Sequence, residues 1–122
     1  MSDMTISLSV PAQPAFARSV RMMAANLAVI GEMTVDDVED ARMVAEEGFV
    51  CACATAPATC DIVFTVSPGE LAMDFSLGAE VEVLASADAA VGYSALLLSA
   101  VCDEYVVDPA SSVLHLVKRA VA

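Results

Sequence analysis

The sequence predicts an α/β fold: a two-layer α/β sandwich, with a mixed, mostly antiparallel sheet covered on one face by three helices. Three observations predict it. Strand-like alternation opens and closes the chain, in "TISLSV" and "SVLHLV". Two long stretches in the first half repeat their apolar residues at helical spacing. Between them and the C-terminus, "CDIVFTV" and "ELAMDFSL" flank "SPGE", and a Pro-Gly pair between two alternating runs marks a hairpin.

The elements follow in order. Thr5 to Val10 alternates, with Ile6, Leu8 and Val10 on one face, and reads as a half-buried strand. "PAQPA" breaks it, and Pro14 suits an early helix position. Phe16, Val20, Met23, Leu27 and Ile30 then recur at helical spacing up to Gly31, which predicts a helix over 13–30. Thr34 can cap a second helix, with Asp37 three residues on and Asp36, Asp37, Glu39 and Asp40 near the positive end of its dipole. Val35, Val38, Ala41, Ala45 and Phe49 form its apolar stripe, and Pro57 lies beyond its end, so it spans 35–55.

The hairpin buries Ile62, Phe64 and Val66 on one strand and Leu71, Met73 and Phe75 on the other. A short strand is expected around Val81 and Val83. "SADAAVGYSALLLSAVCD" reads as a small-residue loop entering a third helix, with Leu96, Leu97, Ala100 and Val101 inward, Gly92 allowing a tight entry and Ser94 capping it. "EYVVD" and "SVLHLVKRAV" are two last strands joined at Asp108-Pro109.

A chain of 122 residues with 58% hydrophobic composition is large enough for one domain over 1–122 with a core of its own. Five Lys+Arg against 17 Asp+Glu give a net charge of −12. Such a surface repels nucleic acid and free phosphates and favours a basic protein partner. The apolar runs are broken well short of a membrane span, and "MSDMTISLSV" lacks a basic signal-peptide start. These features predict a cytoplasmic protein with no membrane segment.

Cys51, Cys53, Cys60 and Cys102 have no zinc-site spacing, and the single histidine, His115, is distant in sequence. No metal site is expected; the thiols read as small buried hydrophobes. His115 alternates with Val113 and Val117 and reads as a core or edge histidine, and Met22 and Met23 read as packing residues. Glu46 and Glu47 sit side by side in "VAEEGFVCACATAP", with Cys51 one helical turn beyond Glu47. Glu46 reads as a solvated edge.

"VPAQPAFARSVRMMAANLA" followed by "MTVDDVEDARMVAEEGFVCA" resembles the opening of the anti-sigma-factor serine kinases, members of the GHKL (histidine-kinase-like) ATPase superfamily. "GYSALLLSAVCDEYVV" is similar to a later segment of the same family, and the element order agrees, so the resemblance extends over the whole chain. It implies a Bergerat-type sandwich and an ATP site. Glu47 matches the family's general base, and Cys51 stands where the family has the Asn that holds magnesium. A thiol is a poor ligand for a hard cation. In the adenine-reading turn Ser76 replaces Asp, Gly78 is kept and Glu80 replaces a Gly; Gly92 matches one of the two glycines of the phosphate turn.

The resemblance therefore implies a degenerate member: a regulator of transcription that binds a sigma factor or an anti-sigma antagonist and needs no cofactor. Arg18 and Arg21 match the family's arginine region on the first helix, and a homodimer through the first strand and helix is the analogous assembly. The alternative is an active protein-serine kinase that uses Mg-ATP, with Glu47 as base. In the degenerate case, Cys51 and Cys53 fill the space that a nucleotide would take.

Overall fold

The computed structural model describes residues 3–85 and 89–121, with side chains of the third helix from Val91 onward. Five strands, β1 (Met4–Pro11), β2 (Thr59–Ser67), β3 (Glu70–Ser76), β4 (Glu104–Asp108) and β5 (Val113–Arg119), form one sheet in the order β1-β2-β3-β5-β4. Three helices, α1 (Ala17–Ile30), α2 (Val35–Ala54) and α3 (Ala89–Val101), make the second layer. The expected two-layer sandwich is observed. Each neighbouring pair is antiparallel, so the sheet lacks the parallel component of a mixed one. β5 inserts between β3 and β4, and the turn after β4 lets it pair both neighbours antiparallel.

Register and alternation decide which side chains meet the helices. Leu8, Ile62 and Phe75 align across the first three strands, and Phe75 faces Leu114 on β5. Ile62, Phe64, Val66, Leu71, Met73, Phe75, Leu114 and Leu116 are fully buried. Burying each such side chain contributes about 1.5–3 kcal/mol. The other sheet face carries Thr5, Ser7, Ser9, Asp61, Asp74 and His115, the opposite phase of the same strands.

α2 is the central helix, packed between α1 and α3 and over β3 and β5. Thr34 caps it as expected: its Oγ1 accepts from the Asp37 N–H at 3.2 Å and donates to Asp37 Oδ2 at 2.8 Å. Asp37 is buried in that cap. Val35 is 80% exposed rather than part of the stripe, because the helix starts there, clear of the sheet. α2 lies so close to the sheet that a Cβ on Gly48 would stand 2.8 Å from Leu116 Cδ1 and from the Phe75 ring.

α1 is preceded by a short 3-10 turn, Pro14–Phe16, and ends where expected. Its buried face is Val20, Ala24, Leu27 and Ala28; Ile30 is 42% exposed, since the close approach to α2 selects the alanine side of the helix. Met23 packs against the core, while Met22 is exposed.

Two further expectations are corrected. Val81 and Val83 lie in a 3-10 turn, Val81–Leu84, not in a strand. Glu80 N–H is already bonded to the Thr55 carbonyl at 3.0 Å, which bends the chain away from the sheet edge. In α3 the inward residues are Val91, Ser94 and Leu98, with Val101 half-buried. Leu96 is 65% exposed and Ala100 is exposed. A helix with no charged residue gives periodicity no phase marker, and the apolar run "ALLLSA" allows more than one face inward. Residues 86–88 of the expected loop lie outside the described residues.

Candidate functional site

Adjacent residues on a helix point about 100° apart, and α2 uses that angle to separate its paired carboxylates. Glu46 turns toward α1, where its Oε1 accepts from Arg21 Nη1 at 2.8 Å. Glu47 turns toward α3, where its Oε2 accepts from Ser94 Oγ at 3.0 Å. Glu46 thus stands on the solvated edge, its side chain 38% exposed, and is paired there with Arg21. Ser94 is 5% exposed, inside α3 rather than at its N-cap, and the Glu47 carboxylate is what satisfies its hydroxyl.

Cys51, one turn beyond Glu47, is fully buried. Burial, and second the Glu47 charge, push its thiol up from 9.0 to about 11. The other thiols behave alike. Cys60 is raised to about 12 by burial and then by Cys53, and Cys102 to about 11 by burial and then by Asp103. Cys53 is raised by burial. The Tyr105 phenol on β4 is also raised, first by burial and then by Cys51 and Cys102. All four cysteines are free thiols, Cys51 and Cys60 buried and Cys53 and Cys102 half-buried.

These shifts predict an alkaline weakness. Above about pH 9 the unfolded chain sheds thiol protons that the folded chain retains, so the unfolded state binds fewer protons and stability falls as pH rises. The stabilisation is complete below pH 9.0, the ordinary thiol value, and is lost toward the folded values of about 11 and 12. The urea midpoint is expected to drop between about pH 8 and about pH 10.5, with a shallower drop in the Cys51→Ala/Cys60→Ala variant.

Gly78 is held at the end of α2. Its N–H donates to Thr55 Oγ1 at 2.6 Å, and the same hydroxyl donates to the Ala52 carbonyl at 2.6 Å. A Cβ on Gly78 would lie 2.3 Å from the Thr55 carbonyl oxygen and 2.5 Å from the Pro57 nitrogen. Ser76 closes β3; its Oγ accepts from the Asp61 N–H at 2.8 Å, and strand alternation from the buried Phe75 sets it on the face away from the helices. Gly92 lies within α3, exposed, with open space where a Cβ would be; it is not at a helix entry.

Of the residues singled out from sequence, the fold brings Glu47 and Cys51 together. Gly78 is packed against the turn after α2, Ser76 belongs to the sheet, and Gly92 faces out from α3. Thr55 and the Glu47–Ser94 pair escaped the sequence reading. The signal for Thr55 was present: a hydroxyl three residues after Ala52 at a helix end closed by Pro57.

Two polar clusters lie outside this region. Lys118 is 7% exposed, on the helix side of β5, with its Nζ 3.6 Å from Asp40 Oδ2. The alternation Leu114, Leu116, Lys118 signals that inward position. On the open face, His115 Nδ1 lies 2.5 Å from Asp74 Oδ1 and its Nε2 3.6 Å from Glu104 Oε1, while Arg119 bridges Glu70 and Glu104. His115 is therefore a half-exposed residue of the open face, in contact with Asp74 and Glu104, rather than a core residue. Among the described residues, no group of three or more His, Cys, Asp or Glu is placed to hold a metal ion, and no helix is long and apolar enough to cross a membrane. The chain matches no protein-family model and no curated protein.

Proposed function

We propose that this protein is a cytoplasmic regulator of the anti-sigma-factor type. It acts by protein–protein binding, with the nucleotide chemistry of the histidine-kinase-like ATPases lost or strongly weakened. The observation that carries this reading is the state of Cys51. At the position matched to the magnesium-holding Asn stands a buried thiol whose proton is held to about 11. Magnesium seeks hard oxygen ligands in a regular shell, and a protonated thiol offers neither charge nor hardness.

The neighbouring residues support it. Glu47 Oε2 is engaged by Ser94. The Gly78 backbone is engaged by Thr55, and the Ser76 hydroxyl by the backbone of β2. This donor set does not fit a magnesium nucleotide. The charge of −12 favours a partner with a basic face, such as a sigma factor or an antagonist protein, over nucleic acid.

Titration calorimetry with Mg-ATP tests the reading. No binding tighter than about millimolar is expected. Tighter binding, or transfer of phosphate to a protein serine that disappears in Glu47→Ala, would establish the kinase alternative instead. Saturable binding of a purified sigma factor or antagonist, unchanged in Glu47→Ala, is the expected positive result.

A further inference from the structure

We propose that the groove between the start of α1 and the C-terminal half of α2 is a binding site for a small primary amine with an aromatic or branched apolar body. The groove encloses about 330 Å³ and is lined by Pro14, Ala17, Glu46, Phe49, Val50 and Cys53. That volume suits a ligand of small-molecule size. Glu46, Phe49, Val50 and Cys53 recur every three or four residues, so they form one stripe along α2. This stripe faces α1, away from the side on which Glu47 meets Ser94 of α3.

The lining divides into two parts. Phe49 is 1% exposed and packed into the core beneath the groove, while Val50 beside it is 37% exposed and offers the apolar surface on α2. Pro14 and Ala17 close the opposite wall from the 3-10 turn and the first residue of α1. These are apolar surfaces that need little rearrangement to accept a ring or a branched chain.

The charged group in the lining is the Glu46 carboxylate, whose ion pair with Arg21 uses Oε1 at 2.8 Å. An ammonium group on the carboxylate would give Glu46 a second charge-assisted partner. A ligand carboxylate would meet Glu46 directly, in a chain of net charge −12, with Arg21 already paired. The net charge of −12 therefore favours a cation beside the Glu46–Arg21 pair, and the Pro14, Ala17 and Val50 walls favour its apolar body.

Amide NMR titrations with three probes that share a ring test this: phenethylamine, phenylethyl alcohol and phenylacetate, at about 0.15 M ionic strength to screen diffuse attraction. Saturable shifts are expected with phenethylamine at the amides of Ala17, Glu46, Val50 and Cys53. The alcohol should bind about tenfold more weakly, and phenylacetate should not saturate. Val50→Trp or, independently, Ala17→Leu should fill the groove and abolish the shifts. Glu46→Gln should keep binding of the alcohol and remove the preference for the amine. Shifts that never saturate, that spread over the acidic surface, that survive both filling variants, or that are as large with phenylacetate would overturn the proposal.

Discussion

Gly78→Ala is expected to lower the stability of the folded protein by about 3 kcal/mol, near or beyond the upper end of ordinary overpacking penalties. Gly92→Ala is expected to leave it unchanged or raise it by up to about 1 kcal/mol. The surroundings of the two glycines are opposite. A Cβ on Gly78 would stand 2.3 Å from the Thr55 carbonyl oxygen, 2.5 Å from the Pro57 nitrogen and 2.6 Å from the Ala56 carbonyl carbon. All three are backbone atoms, and they belong to a turn that Thr55 ties to Ala52 and Gly78 and in which Ala56 takes a φ of 62°. No side chain can rotate aside, so the contact is relieved by moving the end of α2 or the segment after β3. Either movement loosens the bonds from Gly78 N–H to Thr55 Oγ1 and from Glu80 N–H to the Thr55 carbonyl. Gly92 meets nothing within 4 Å and lies inside α3, where alanine has the higher helix propensity. Urea denaturation of the two variants side by side provides the measurement. Equal losses would mean that the packing at Gly78 has no special role.

Phe75→Ala is expected to cost about 3–5 kcal/mol, the range for deleting a buried phenylalanine and leaving a cavity. Its ring is fully buried on β3, level with Ile62 and Leu114 on the flanking strands, and lies under Gly48 of α2. That position makes the penalty dependent on a second residue. Gly48→Ala alone should cost about 1–3 kcal/mol, because the new methyl would stand 2.8 Å from the Phe75 ring and from Leu116 Cδ1. In a Phe75→Leu background the same methyl meets a smaller side chain, so its cost should shrink by at least about 0.5 kcal/mol. A double-mutant cycle followed by urea or thermal unfolding measures the coupling. Strict additivity would show that α2 can shift away from the sheet without loss.

Strands β1, β2, β3 and β5 were legible because each carries period-two alternation against a single buried face, and that pattern has one solution. α1 and α2 were legible for a related reason: breakers and caps stand at their ends, and Thr34 holds its cap in the predicted geometry. The turn at Val81–Leu84 and the phase of α3 were not legible. "VEVL" alternates as a strand would, but its direction is decided by the Glu80–Thr55 bond across more than twenty residues. α3 has no charge to mark its wet side, so Leu96 and Leu98 exchange easily on paper; packing against α2 chooses Leu98.

The site divides in the same way. Glu47 and Cys51 share a side of α2 by helical geometry alone, and the sequence by itself determined that. It also determined the net charge and the layers of the sandwich, since both follow from local composition or local periodicity. Only the tertiary structure decided where the two adjacent carboxylates point, because that depends on which helix packs on each side of α2: α1 brings Arg21 to Glu46, and α3 brings Ser94 to Glu47. It likewise decided that Gly78 serves a backbone contact and that Lys118 finds Asp40 beneath α2. Each of these pairings joins residues far apart in the chain, and no pattern within either segment encodes its partner.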